Sequence, residues 1–220
     1  MKKLSYLFFL VLLTTTIFGQ RASESWSFGI EGTYPRFLSS DVRPLDANFG
    51  LNLSIQRNFT EDIGLRAKGG YGYIKGRIPG GIYTFEGGGI VPSGNEMNVT
   101  ILDLSLDVLY YFEPCSKVSP YVFFGFGAAS FSTDWNNVVN PIADDKTTVK
   151  MNFGIGTEWK IGKEWNLITE FGINSLESEV DGIRNLNRGG LLWSHADAYT
   201  ALSVALAYSF SKGKKSQKCK

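Results

Sequence analysis

The chain has 220 residues, which suits one domain or one barrel, and its formal net charge is +1. Of its 22 basic residues, two lie in residues 1–19 and five in the last ten, so residues 20–210 hold 15 basic and 21 acidic residues, a formal charge of −6. Because binding to phosphate backbones needs a basic surface, this composition argues against nucleic acid as a partner.

The first segment, residues 1–19, has the pattern of an export signal. Lys2 and Lys3 precede an apolar run, and Gly19 offers a small residue for cleavage. The run from Leu4 to Leu13 is shorter than the ~20 residues that a transmembrane helix needs. We therefore predict a cleaved signal peptide at residues 1–19. The sequence has no cysteine near the predicted cleavage point, so we do not expect a lipid anchor.

Eight later segments alternate between apolar and polar residues, which is the pattern of β-strands. Residues 149–159, VKMNFGIGTEW, show it most clearly. In chain order the predicted strands are residues 25–34, 48–57, 63–75, 98–112, 120–132, 148–160, 165–174 and 198–210. Long connections alternate with short ones between them. This rhythm predicts an all-β fold over residues 20–210, an eight-stranded antiparallel up-and-down barrel.

The polar face of these strands distinguishes a membrane barrel from a soluble one. It is rich in glycine, as at Gly154 and Gly156, and glycine relieves crowding inside a narrow barrel while adding little to a solvent-washed face. The opposite face is apolar, with aromatic residues toward the strand ends. We therefore predict that the polar face points inward and the apolar face contacts lipid. In the fifth strand, which is apolar on both faces, inward Gly125 would turn Phe124 outward.

With these features the chain resembles the small outer-membrane barrels of the OmpA and OmpX type. The resemblance rests on the export signal, the eight amphipathic strands, the stretches SPYVFFGFGAA and NLITEFG, and the last strand, TALSVALAYSF. It implies the outer membrane of a diderm bacterium, with both termini, the three short turns and a basic tail at 211–220 in the periplasm. Leu206, Tyr208 and Phe210 resemble the terminal-strand signal that the barrel-assembly machinery reads, although a ten-residue tail follows Phe210 here.

The inward charges are the largest candidate constellation. Buried charges must be paired or hydrated, so we predict that they form a salt-bridge network that plugs the lumen. The alternative is a gated, narrow pathway for ions or small solutes. The network would comprise Glu31, Arg66, Lys68, Asp103, Asp107, Lys150, Glu158 and Glu170.

The chain has two cysteines, Cys115 in the short turn EPCSKVS and Cys219 in the tail. In the orientation that the resemblance implies, both lie on the periplasmic side of the membrane. A disulfide between them would then pin the tail across the barrel mouth, and two unpaired thiols are the alternative.

The sequence gives little support to catalysis or to a cofactor. Its one histidine, His195, follows Ser194 and precedes Asp197, but adjacent residues on a strand point to opposite faces, so Ser194 and His195 could not pair there. We predict no enzyme, no metal and no cofactor; a barrel enzyme that modifies lipid A is the least favoured alternative.

The long connections would face outside the cell, and loops on rigid scaffolds commonly carry function. Their aromatic residues Tyr83, Phe85, Trp135 and Trp193 are the predicted contacts for an envelope or extracellular protein partner. The sequence therefore predicts a structural, surface-binding or adhesion role. An accessory subunit of a secretion or surface-assembly complex is the main alternative.

Overall fold

The computed structural model describes residues 25–38, 43–45, 48–77, 83–84, 90–91, 96–135, 146–177 and 198–210. Eight long strands account for most of them: β1 (Trp26–Phe37), β2 (Phe49–Asn58), β3 (Ile63–Arg77), β4 (Glu96–Tyr111), β5 (Val118–Trp135), β6 (Lys146–Lys160), β7 (Trp165–Leu176) and β8 (Ala198–Phe210). Three two-residue strands lie between them, at 43–44, 83–84 and 90–91. The predicted signal peptide and basic tail lie outside the described residues.

The eight strands form a closed antiparallel barrel. Each pairs with its neighbour in the chain, and β1 closes the ring by pairing with β8, from Trp26 opposite Phe210 to Phe37 opposite Tyr199. Closure leaves none of the eight long strands as an open sheet edge, which is a requirement for crossing lipid with β-structure. The predicted fold class is confirmed. No helix among these residues has the length and apolar character to cross a membrane.

The barrel has two different ends. The connections β2 to β3, β4 to β5 and β6 to β7 are short, and they share one end with the start of β1 and the finish of β8. We call this the turn end, and we call the opposite end, with the four long connections, the loop end. At the loop end the two short strands at 83–84 and 90–91 pair with each other in an antiparallel ladder, which we call the small hairpin.

Several strands run further toward the loop end than predicted. In β1 the extension passes through a proline. Pro35 was expected to begin a loop, yet it lies in β1 opposite Ala201 of β8. Its carbonyl oxygen accepts a hydrogen bond from Asn48 Nδ2 at 2.9 Å, so the edge on which it lacks an N–H faces the start of β2. The ladder between β1 and β2 ends at the pair of Thr33 with Gly50. The absent N–H of Pro35 therefore removes no hydrogen bond from that ladder.

The predicted register is confirmed on both faces. The outward side chains are large, apolar and exposed, for example Leu104 at 64% and Leu202 at 58%. In β5, Phe124 and Phe126 are exposed while Gly125 is buried, as the placement of the glycines required. The apolar outer wall is the surface expected to contact hydrocarbon.

Candidate functional site

The inward-facing side chains fill the barrel in three layers along its axis. Strand β4 crosses all three: its inward residues are apolar from Met97 to Ile101, polar from Asp103 to Asp107, and apolar again at Leu109 and Tyr111. The loop-end cluster consists of Phe37, Ile74, Met97, Val99, Ile101, Ala129, Phe131, Leu176 and Tyr199. The turn-end cluster consists of Leu109, Tyr111, Tyr121, Phe123, Ile168, Ala205 and Ala207. We call the layer between them the charged layer.

Ion pairs dominate the charged layer. Arg66 donates to Asp107 Oδ2 from Nε at 3.2 Å and from Nη2 at 3.1 Å, and to Glu170 from Nη1. Lys68 Nζ lies 2.9 Å from Glu31 Oε2 and 2.9 Å from Glu170 Oε2. The side chains of Arg66 and Asp107 are 3% and 0% exposed, so the pair is removed from bulk water.

Lys150 and Asp103 form a separate pair nearer the loop end, with 2.6 Å between Lys150 Nζ and Asp103 Oδ2. The structure thus brings seven of the eight predicted lumen charges into one layer. The eighth, Glu158, is buried closer to the turn end, where it accepts a hydrogen bond from the hydroxyl of Tyr111 at 3.0 Å.

Neutral polar side chains complete the layer, and no role was predicted for them from the sequence. Asn52 Nδ2 donates to Glu31 Oε1 at 2.8 Å, and Asn152 Nδ2 donates to Asp107 Oδ1 at 2.5 Å. Tyrosine hydroxyls donate to Glu170 from Tyr121 and to Asp103 from Tyr199. The two asparagines lie on the predicted polar face, which was the available signal; the tyrosines were missed because aromatic residues were assigned to the outer wall.

Glycines on β6 and β7 make room for the inward aromatic rings of β5. A Cβ atom at Gly156 would lie 2.4 Å from Tyr121 Cζ, and one at Gly154 would lie 2.6 Å from Phe123 Cζ. The ring of Phe123 also faces two cations, with its centroid 5.3 Å from Arg66 Cζ and 5.9 Å from Lys68 Nζ. The inner face of β5 is therefore apolar as well as its outer face, because its inward rings pack over the glycines of the neighbouring strands.

A small cavity of about 60 Å³ remains on the loop-end side of the charged layer. Its polar lining includes Glu31, Lys68, Asp103, Lys150, Asn152 and Glu170, and its apolar lining includes Ile101 of the loop-end cluster. This volume has room for a few water molecules.

The other predicted site residues lie at the two ends of the barrel. Cys115, in the connection between β4 and β5, is disulfide-bonded. On β8, Leu206 and Phe210 face outward, while the hydroxyl of Tyr208 donates to Glu164 at 2.6 Å. Tyr208 also packs edge-on against Trp165, with 5.1 Å between ring centroids.

At the loop end, Tyr83 belongs to the small hairpin, opposite Val91, and Trp135 is the last residue of β5. The predictions for Phe85, Trp193, Ser194, His195, Asp197 and Cys219 fall outside the described residues. Within the described ranges, no group of three or more histidine, cysteine or acidic residues is arranged to hold a metal ion.

Comparisons with known proteins agree with this architecture. Residues 8–210 match the family described as outer membrane protein beta-barrel domain. Neisserial surface protein A has a similar structure, with a TM-score of 0.52 and 14% identity over 84% of this chain and 97% of that chain. Ail of Yersinia pestis, solved with the heparin analogue sucrose octasulfate, gives a TM-score of 0.50 and 12% identity over 86% of this chain and 99% of its own. OprG of Pseudomonas aeruginosa has a TM-score of 0.50 and 13% identity, over 87% of this chain and 98% of OprG. No curated protein matches the chain.

Proposed function

Because the chain belongs to the outer membrane protein beta-barrel domain family and is an outer-membrane β-barrel, we propose that it is a rigid, non-conducting scaffold that presents its four long loops outside the cell. In this proposal the turn end and both termini face the periplasm. Aromatic girdle residues such as Trp26 and Trp165 then lie at the periplasmic interface with lipid.

The observation that carries the non-conducting part of the proposal is that three successive layers of inward side chains occupy the lumen. A solute entering from the loop end meets Ile74, Met97 and Val99, whose side chains are fully buried. Beyond them it meets ion pairs such as Arg66 with Asp107, and separating a buried pair leaves uncompensated charge at a cost of several kcal/mol. An eight-stranded barrel offers an interior just wide enough for its own side chains.

Planar-bilayer recording tests this proposal. The purified barrel is expected to give no steady unitary currents at a protein-to-lipid ratio at which a porin conducts. As a matched positive control, a variant carrying Tyr121→Ala and Phe123→Ala removes the rings that cover Gly154 and Gly156 and is expected to raise the leak. Steady single-channel currents from the unaltered protein would favour the narrow-pathway alternative.

The binding role of the loops is supported by their position and by their charge. The four connecting segments, residues 38–48, 78–95, 136–145 and 177–197, contain nine acidic and three basic residues, a net charge of −6. An acidic surface repels polyanions, so a sulfated ligand like the one bound to Ail does not suit this chain. A neutral or basic protein surface suits it better, with Tyr83, Phe85, Trp135 and Trp193 as contacts.

Cross-linking on intact cells followed by purification in mild detergent tests the loop role. The matched control replaces residues 178–197 by a flexible glycine-serine linker and keeps all eight strands. A partner that is captured by the full chain and lost with the linker variant is expected. A stoichiometric periplasmic partner captured equally by both forms would instead support an accessory subunit of an assembly complex.

A further inference from the structure

The charged layer is not electrically balanced. Among the described residues it contains four carboxylates, those of Glu31, Asp103, Asp107 and Glu170, and three cations, Arg66, Lys68 and Lys150. The side chains that pair directly therefore leave one negative charge in excess. A charge held away from bulk water is costly unless an opposite charge is close by.

Two oxygen atoms next to this excess charge have no hydrogen-bond partner among the residues that the structure describes. Asp103 uses Oδ2 to accept from Lys150 Nζ at 2.6 Å and from the Tyr199 hydroxyl at 3.2 Å, whereas its Oδ1 is unpartnered. Asn152 Oδ1 is also unpartnered, and Asn152 is 5% exposed.

The orientation of the Asn152 amide is chemically fixed. Its other terminal atom lies 2.5 Å from Asp107 Oδ1, and a carboxylate oxygen only accepts, so that atom must be the nitrogen. The atom left over is then an acceptor. Asp103 and Asn152 both line the cavity of about 60 Å³, together with the carboxylates of Glu31 and Glu170.

Two acceptors that share a cavity require either donors or a cation. Water molecules could donate to both oxygens but would leave the excess negative charge in place. A divalent ion would overcompensate a single negative charge and would lie beside Lys68 and Lys150, which line the same cavity. A monovalent alkali cation supplies one positive charge and prefers oxygen ligands.

We propose that the lumen cavity is a binding site for one monovalent alkali cation, coordinated by Asp103 Oδ1 and Asn152 Oδ1 with water completing its shell. The ion balances the charged layer and stabilises the folded barrel. It is a structural ion that lies between the charged layer and the loop-end cluster, so this proposal is compatible with a closed lumen and is independent of what the loops bind.

Equilibrium unfolding in urea, with the barrel refolded in detergent micelles, measures the stabilisation. The three solutions contain equal concentrations of NaCl, KCl or N-methyl-D-glucamine chloride, whose organic cation is too large for the cavity. The unfolding midpoint of the unaltered barrel is expected to be higher in an alkali salt than in the organic salt. Asp103→Asn, which removes the excess charge, is expected to abolish the difference.

A matched control and a direct measurement accompany this comparison. Glu158→Gln removes a lumen carboxylate that does not line the cavity, and it is expected to keep the dependence on the alkali cation. If Asp103→Asn does not fold, Asn152→Ser takes its place. Crystals of the unaltered protein soaked in a rubidium salt are expected to show an anomalous peak between Asp103 and Asn152. Equal midpoints in all three salts together with no anomalous peak would show that the cavity holds only water and would overturn the proposal.

Discussion

Gly156 of β6 and Tyr121 of β5 occupy one shared space in the barrel interior. A Cβ atom added at Gly156 would lie 2.4 Å from Cζ and 2.6 Å from the hydroxyl oxygen of Tyr121. That hydroxyl donates to Glu170, so the glycine positions a ring that in turn supports the charged layer. Small and large inward residues are therefore coupled across neighbouring strands.

This coupling predicts that Gly156→Ala destabilises the barrel. The added methyl group must displace the ring of Tyr121, and overpacking of this kind typically costs ~1–3 kcal/mol. The free energy of unfolding in urea checks it. The control is Gly32→Ala, at a strand glycine that faces outward and whose Cβ would meet only Val204 O, 4.0 Å away. Equal losses for the two variants would contradict the argument.

Glu170 is predicted to be the most sensitive carboxylate of the lumen. It pairs with Arg66 and Lys68, both largely buried, and each of these cations has one other carboxylate partner, so Glu170→Gln removes one of the two ion pairs that each cation makes. Removing one partner of a buried pair typically costs ~3–5 kcal/mol.

The matched control for Glu170 is a pair at the loop-end rim. Arg77 and Glu96 also form an ion pair, but their side chains are 51% and 40% exposed. Glu96→Gln is expected to cost no more than ~1 kcal/mol, because exposed pairs contribute little. Urea unfolding of both variants measures the difference, and a loss at Glu96 as large as that at Glu170 would show that burial does not set the cost.

Phe123 is predicted to contribute through its ring as well as its size. Phe123→Leu keeps the position apolar but removes the aromatic face that Arg66 and Lys68 approach, an interaction worth ~2 kcal/mol when it is desolvated. Phe171→Leu, at a lipid-facing position that is 44% exposed, is the control. Unfolding measurements are expected to show a larger loss at Phe123, and the reverse order would refute the assignment.

The disulfide of Cys115 is predicted to involve Cys219, the other cysteine of the sequence. Such a bond would tie the basic tail, residues 211–220, to the turn end of the barrel. Maleimide labelling of the purified, unreduced protein is expected to modify no thiol, and labelling after reduction is expected to modify two. Two reactive thiols without reduction would rule the bond out, and Cys115→Ser provides the single-thiol reference.

The barrel and the inward or outward direction of its side chains follow from the sequence. Side chains alternate between the two faces of a strand, so placing one residue inward fixes the direction of every other residue in that strand. Gly125 inward and Phe124 outward were predicted in this way and are confirmed. Strand β5 was harder, because a strand that is apolar on both faces shows no alternation. The inward position of Tyr121 is explained by Gly156, which lies on the next strand and is not a local signal.

The composition of the lumen was predictable, but its pairing was not. The sequence places Arg66 and Glu170 on inward faces, yet they are 104 residues apart and meet only through the stagger of strands around the closed ring. The apolar loop-end cluster was also missed. Met97 and Val99 continue the inward face of β4 above Asp103, and the change from polar to apolar along one face reflects depth in the barrel, which periodicity does not encode.

The pairing of Trp26 with Phe210 has a consequence for how the protein is made. The two residues come from the first and the last of the eight long strands, so the backbone groups along one side of β1 find their partners only after β8 has been synthesised. Before β8 is present, backbone N–H and C=O groups along that side of β1 have no hydrogen-bond partner, and lipid cannot provide one. Insertion is therefore expected to wait for β8, and until then the apolar stretches of the other strands are exposed to aggregation.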